Sequence, residues 1–285
     1  MISRRQFHRN FLTVNNKYEV KYQVPVEKAL MPTGLISTIQ SHGIHAGITL
    51  LHTHVSNNKV TFVVRQLYNE VGLRHARMNY IRMRSEGATK GFGFNAAWTA
   101  FINEYLNKYL IQKITHDVSN TTRDFLLKVL QQGITEGLGV DEMVKRLDTL
   151  HFFKWKAAQI VRTEVNRAAN VGAKAQNSTF AYETVKEWIS AEDSRVRGIN
   201  PHDHASHVAL DGQKINEGDS FKDPRNGDLL DHPGDPQASA VSTINCRCSI
   251  AYTAKRDSNG RLIPKRKSTV VIYPNQNRPK PTVTI

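Results

Sequence analysis

Cysteine is scarce in this chain, because Cys246 and Cys248 are the only two among 285 residues. So few cysteines argue against a secreted fold held together by disulfides. Long apolar stretches are missing as well. No run of about eighteen apolar residues exists, which excludes an ordinary membrane-spanning helix. The basic N-terminal stretch has no apolar segment long enough for a signal peptide, so we expect synthesis and folding in the cytoplasm.

Several nucleic-acid signatures are also missing from the sequence: an RNA-binding sheet motif, zinc-finger spacing and a phosphate loop. What the chain does have is positive charge. Its 39 Lys and Arg residues outnumber 25 Asp and Glu residues, which gives a net charge of +14. A balance this basic favours a polyanionic partner. Without a base-reading motif, contact with double-stranded DNA would be to the phosphate backbone.

Helical periodicity dominates the first two thirds of the chain. Apolar residues recur at i, i+3 and i+4 over 59–84 and 96–114. Further helices are expected from a cap at Ser119, Asn120 or Thr121 to an end formed by Gly133, Gly137 and Gly139, over the stretch "VDEMVKRLDTL", and over 153–176. The alternation in 18–27 favours a short strand instead. Glycine-rich residues 85–95 indicate a hinge or boundary.

After residue 180 the pattern becomes that of strands and loops. Residues 183–191 are β-prone, and "NCRCSIAYT" alternates strictly. This alternation predicts a half-buried strand with Cys246 and Cys248 on its core side. The sequence therefore predicts an α+β protein: a helical N-terminal region, helices packed on a small antiparallel sheet, and an extended basic tail. We divide it into a helical region at 1–95, a second domain at 96–253 and the tail at 254–285.

Glu164 interrupts the apolar stripe of the helix predicted over 153–176. A buried carboxylate is costly unless it is paired or hydrogen-bonded. We therefore expect Glu164 to meet a cation from the segment packed on this helix, namely Arg195, Arg197 or Arg247.

Five motifs occur in a fixed order: "IVRTEVNRAANVGA", "KEWISAEDSRVR", "SHVALDGQKI", "HPGDPQASA" and "INCRC". Together they resemble the phage Mu F-like head morphogenesis domain, which is found in minor head proteins of tailed bacteriophages. The resemblance covers roughly residues 115–253. The loop "GINPHDHAS" between Arg197 and His207 is longer than the family's usual spacer, and it adds His202 and His204.

The resemblance is carried over residue by residue. The motif positions are Arg162, Thr163 and Glu164; Trp188, Asp193, Arg195 and Arg197; His207 with Leu210, Asp211 and Gly212; Pro233 to Pro236; and Asn245 to Cys248. We interpret most of these polar groups as one structural network that ties the long helix to the sheet. That network comprises Arg162, Glu164, Trp188, Asp193, Arg195, Arg197, His207, Asp211, Asn245 and Arg247.

The resemblance implies a low-copy virion protein that acts in head morphogenesis, at the portal vertex or the inner capsid surface. Its expected partners are the portal protein, the major capsid protein or both, together with packaged double-stranded DNA, and no membrane. The predicted DNA-contacting residues lie in the tail: Lys255, Arg256, Arg261, Lys265, Arg266 and Lys267. Truncation after Thr253 should therefore weaken DNA binding and flatten its salt dependence.

Three alternatives remain at this stage. Cys246 and Cys248 could bind zinc together with His207, His232 or His204, although buried reduced thiols without a cofactor are favoured and a disulfide is disfavoured. Glu164, Asp193, Arg195, His207 and Asp211 could serve a nuclease, although a non-enzymatic network is preferred. The chain could also be ejected with the DNA. A toxin that carries this domain as an adaptor is disfavoured, because only about thirty residues follow Tyr252.

Overall fold

The structure is a computed structural model that describes residues 3–53, 58–85 and 95–265, without the side chains of residues 53, 58, 110 and 112–115. It confirms the α+β class. The helices are α1 (Arg4–Leu30), α2 (Leu35–His42), α3 (Ile44–Thr53), α4 (Asn58–Ser85), α5 (Asn95–Tyr105), a π-helical segment (Leu106–Leu110), α6 (Ile111–Thr135), α7 (Val140–Asp148), α8 (His151–Ser178), α9 (His207–Leu210) and α10 (Ala240–Thr243). The strands are β1 (Thr184–Ile189), β2 (Lys214–Asn216), β3 (Phe221–Lys222), β4 (Leu229–Leu230) and β5 (Ser249–Ala254).

The strand predicted over 18–27 is wrong, because α1 runs through this stretch and includes Pro25. The reason lies in the longer pattern. Tyr22, Val26, Ala29 and Leu30 are all buried, and their spacing of four, seven and eight residues is that of one helix face. The local alternation covered too few residues to reveal this period.

The predicted helix start near Ser119 is also wrong. Helix α5, the π-helical segment and α6 follow one another without a break, so Ser119 and Thr121 lie inside α6. The Thr121 hydroxyl donates a hydrogen bond to the Asp117 carbonyl, 2.7 Å away, as threonine does within helices. The helix ends at Thr135, and Gly137 follows with a left-handed φ of 71° that suits a glycine.

The chain forms two compact units, and each is assembled from separate stretches. One unit comprises Met1–Tyr18, Leu67–Glu104 and Arg162–Ile285; the other comprises Glu19–Gln66 and Tyr105–Val161. The division into 1–95, 96–253 and 254–285 stays a prediction. Of the predicted hinge at 85–95, residues 86–94 lie outside the described residues. In the described ranges, no helix combines the length and apolar character needed to cross a membrane.

In the described residues of the second unit, 19–53, 58–66 and 105–161, all regular structure is helical. Helix α7 is strongly amphipathic and buries Met143 and Leu147. Its N-terminus is capped by the Glu142 side chain, which accepts a hydrogen bond from the Gly139 backbone N–H at 3.0 Å. The Phe125 and Phe152 rings stack with their centroids 3.7 Å apart.

The first unit contains the sheet, in which β1 lies between β2 and β5 and pairs antiparallel with both. Cys246, Cys248, Ile250 and Tyr252 share a core with Trp188 on one side of the sheet, which confirms their predicted direction. The strand itself begins only at Ser249.

The prediction that this strand is half-buried is wrong, because its other face is covered by α1. Ala251 packs with Phe7 and Ile189, and Ser249 lies 2.8 Å from the ring Nδ1 of His8. Both faces of β5 are therefore buried from Ser249 to Tyr252.

Helices α4 and α8 approach closely within the first unit. A Cβ atom placed on Gly172 would lie 2.1 Å from the carbonyl oxygen of Gly72. Only glycine at position 172 permits this backbone contact, so Gly172 sets the distance between the two helices.

Candidate functional site

One face of α8 carries a row of polar side chains directed at the loops and strands that follow. These residues, which we call the polar seam, are Glu164, Arg167, Asn170, Lys174 and Asn177. Their spacing of three, three, four and three residues places them on one helix face. Except for the half-buried Lys174, all are at most 5% exposed. Buried polar groups at this density require specific partners.

Glu164 does have a cationic partner, but the expected arginines are wrong. Its Oε1 accepts a hydrogen bond from Arg167 on the next turn of the same helix at 2.6 Å, and its Oε2 accepts one from the Tyr68 hydroxyl of α4 at 2.7 Å. Residues three apart on a helix are neighbours, so Arg167 reaches Glu164 from within the same helix.

Arg167 also contacts the Pro-Gly-Asp-Pro turn at 233–236. Its Nε donates to the Gly234 carbonyl at 2.5 Å. Gly234 has a left-handed φ of 78°, and a Cβ there would lie 3.4 Å from the Cβ of Arg167. Asp235 closes the turn by accepting the backbone N–H of Asp231 at 2.8 Å. The helical Arg-Thr-Glu motif and this turn are thus joined through one buried ion pair.

The Asn170 side chain forms hydrogen bonds with the backbone at the start of β5, as a neighbouring strand would. Its Nδ2 donates to the Cys248 carbonyl at 3.2 Å, while its Oδ1 accepts the Ile250 N–H at 2.9 Å. The same Nδ2 reaches the Pro233 carbonyl at 3.3 Å. The predicted network omitted Asn170. The available signal was its spacing, because Asn170 lies three residues after Arg167 and six after Glu164 on one helix face.

A second buried charge cluster was missed entirely by sequence reasoning. Lys186 of β1 is 0% exposed and pairs with Asp231 at 2.5 Å, and Lys174 of the polar seam pairs with the same carboxylate. Burial lowers the pKa of Lys186. Burial alone would raise the pKa of Asp231, but the two lysines outweigh it and hold that pKa well below its usual range.

The first and last family motifs meet at Asn245. Its backbone N–H donates to the Thr163 hydroxyl at 2.9 Å, and its Oδ1 accepts from Arg162 at 3.5 Å. Asn245 has a φ of 58°, a left-handed conformation that asparagine tolerates better than most residues. Arg197 donates to the neighbouring Ile244 carbonyl. These contacts connect α8 to the approach of β5.

The two remaining carboxylates of the predicted network are also paired with arginines. Asp193 binds the Arg247 guanidinium with both oxygens, one of them at 2.5 Å, and the exposed Arg195 lies 3.7 Å away. The hydrogen bonds from Arg247 lower the pKa of Asp193. Asp211 pairs with Arg4 and accepts the Ser190 N–H at 2.6 Å.

His207 lies with both cysteines at the centre of this region. Its Nδ1 is 3.6 Å from Cys246 Sγ and 3.5 Å from Cys248 Sγ. The three residues are at most 2% exposed. In the described part of the chain, these three residues form a cluster whose donor atoms could surround a metal ion. The thiols are not joined as a disulfide.

The two thiols differ in their tendency to ionise. A hydrogen bond from Cys248 and the nearby His207 lower the pKa of Cys246 well below its usual range, whereas burial raises that of Cys248. The Trp188 ring packs edge-on against His207 with centroids 5.1 Å apart.

The other candidate histidines do not join this cluster. His232 donates from Nδ1 to the Pro233 carbonyl at 3.0 Å, while His202 and His204 are exposed. The long spacer that carries the latter two is organised by Asp203, which accepts the Gly198 N–H at 2.7 Å, and by Arg225, which donates to the Asp203 carbonyl at 2.8 Å.

The basic tail is not extended where the structure describes it. Residues 255–265 fold back beside the segment that precedes β1, with isolated bridges between Arg256 and Leu262 and between Tyr182 and Pro264. Lys255 pairs with Glu183 at 3.4 Å, and Lys265 pairs with Glu217 at 2.9 Å.

Of the other predicted DNA contacts, Arg256 and Arg261 are exposed, and the Arg256 guanidinium donates to the Gly260 carbonyl at 2.7 Å. Arg266 and Lys267 lie outside the described residues.

In the first unit, the polar seam of α8 thus joins this helix to the loops and strands that follow it. Residues 124–251 match the family model described as Phage Mu protein F like protein. This stretch is a domain of the phage Mu F-like family, as its five motifs predicted. The family indicates a virion-associated phage head morphogenesis protein. No curated protein and no solved structure matches the chain.

Proposed function

We propose that this protein is a non-enzymatic minor component of a tailed-phage head, located at the portal vertex or the inner capsid surface. There it would contact the portal protein or the major capsid protein and the backbone of packaged DNA. The observation that carries the proposal is the phage Mu F-like domain at 124–251, combined with a net charge of +14.

The arrangement of the carboxylates supports a structural function over a nuclease function. Glu164, Asp193 and Asp211 each pair with an arginine, and the pairs of Asp193 and Asp211 join segments that are far apart in the sequence. His207 is 1% exposed and faces two sulfur atoms. A general base must reach the proton it removes from a bound substrate, and neither His207 nor Glu164 is placed at the surface for this.

Two basic regions support contact with a polyanion. The exposed positions of α4 in the first unit include Arg74, Arg77 and Arg84, which lie on one helix face. The segment after Lys265 adds Arg266, Lys267, Arg278 and Lys280. The positive charges of Lys255 and Lys265 are already balanced by Glu183 and Glu217. The Lys and Arg residues after Lys265 are therefore the better candidates for phosphate contacts.

Truncation after Lys265 should weaken binding to double-stranded DNA and flatten its salt dependence. Truncation after Lys265 is preferable to truncation after Thr253, because it keeps the ion pairs of Lys255 and Lys265. Each lost phosphate contact should reduce the slope of log K against log salt by about 0.9. Fluorescence anisotropy with a duplex of arbitrary sequence, over a range of salt concentrations, measures this slope.

The matched control replaces Asn275, Gln276 and Asn277 with alanine in the full chain, which changes the same segment without changing its charge. This variant should bind like the parent. Equal salt slopes for the parent and the truncated protein would contradict the proposed tail contact. Nicking of a supercoiled plasmid by the intact protein, lost on His207→Ala, would contradict the non-enzymatic assignment.

A further inference from the structure

We propose that His207, Cys246 and Cys248 bind one zinc ion through Nδ1 and the two Sγ atoms, with the fourth coordination position taken by a water molecule or another small ligand. The three residues come from α9 and from the segment just before β5. They converge on one point although about forty residues separate the histidine from the cysteines.

The donor distances agree with a tetrahedral centre. Zinc–sulfur bonds of about 2.3 Å and zinc–nitrogen bonds of about 2.0 to 2.1 Å place a nitrogen and a sulfur about 3.6 Å apart at the tetrahedral angle. The two distances from Nδ1 to sulfur are 3.6 and 3.5 Å. All donor atoms of the cluster lie within 4.8 Å of one another.

A hydrogen bond to Nδ1 accounts for the position of only one of the two sulfur atoms. A neutral imidazole nitrogen has a single in-plane lone pair, so Nδ1 can accept one S–H well but not two. Here both sulfurs lie at nearly the same distance from Nδ1. A shared ion explains why both sulfurs approach Nδ1 equally closely.

The charge and the softness of the three donor groups favour zinc. Two thiolates and one neutral imidazole around a divalent zinc ion give no net charge, which makes the site compatible with residues at most 2% exposed. Thiolate and imidazole donors favour zinc over the hard cations magnesium and calcium. The ion would fix α9 to the approach of β5 beside Trp188, so part of its binding energy would stabilise the fold.

Cobalt(II) is the probe for this site, because it replaces zinc and absorbs visible light when it is bound by thiolates. The full chain, reduced and freed of metal by a chelator, should bind about one cobalt ion with the charge-transfer and ligand-field bands of a tetrahedral site. Added zinc should displace the cobalt and remove these bands. Elemental analysis of the protein purified without chelator should show zinc near one equivalent per chain.

Variants separate a specific site from surface binding. Cys248→Ser should lower the bound cobalt to less than about a tenth of an equivalent, whereas His204→Ala, which changes an exposed histidine of the same region, should leave it unchanged. His207→Cys keeps a soft donor at the position, so it should retain one cobalt with stronger thiolate bands. A folded, reduced parent protein that binds no cobalt at micromolar concentration would overturn the proposal. Unchanged binding by Cys248→Ser would overturn it as well.

Discussion

Replacing Glu164 with alanine should lower the free energy of unfolding by about 3 to 5 kcal/mol. The substitution leaves the Arg167 guanidinium buried without its carboxylate and removes the acceptor of the Tyr68 hydroxyl. Both Glu164 and Arg167 are 5% exposed, so water cannot replace the lost partner at low cost. Urea denaturation followed by circular dichroism measures the change.

A matched control is the more exposed pair of Glu183 and Lys255, whose side chains are 37% and 28% exposed. Glu183→Ala should cost less than about 1 kcal/mol, because solvent screens this pair. If Glu164→Ala and Glu183→Ala have the same effect, Glu164 does not hold the polar seam together. Replacing Glu164 and Arg167 together by Met and Leu should recover stability, since no buried charge then remains unpaired.

Gly172→Ala should destabilise the protein by about 1 to 3 kcal/mol through overpacking. This result would oppose helix propensity, which by itself favours alanine over glycine by about 1 kcal/mol within a helix. The new methyl group would lie 2.1 Å from the Gly72 carbonyl oxygen, and the backbone of α4 would have to move away to admit it.

Gly218→Ala is the control for this substitution, because a Cβ at Gly218 meets no atom within 4 Å and its φ is not left-handed. It should change stability by less than about 0.5 kcal/mol. Thermal denaturation of both variants beside the parent compares them directly. A Gly172→Ala protein that is as stable as the parent, or more stable, would show that α4 and α8 are not held at this close distance.

Long periodic segments were predictable from the sequence, and short-range alternation was not. The helices over 59–84 and 153–176 have the expected type, with observed bounds of Asn58–Ser85 and His151–Ser178. The strand expected over 18–27 failed because its alternation also fits a helix that buries Tyr22 and Val26. The burial of both faces of β5 was not predictable, because it depends on where α1 packs.

The candidate site shows the same division. Motif order identified the residues that matter, and the structure brings Arg162, Asn245 and Thr163 together, as well as His207 with the two cysteines. Partner choice could not be read from the sequence. Glu164 selects Arg167 on its own helix, and the cluster of Lys186, Asp231 and Lys174 unites three residues that no local pattern connects.

The location of the protein within assembled heads tests the central proposal most directly. Mass spectrometry of purified procapsids and mature virions, followed by electron cryomicroscopy of the portal vertex without imposed symmetry, provides that measurement. We predict a few copies of the chain per particle, at the portal vertex or on the inner capsid surface. Absence of the chain from both particles, or density for it only on the outer capsid surface, would contradict the proposed function.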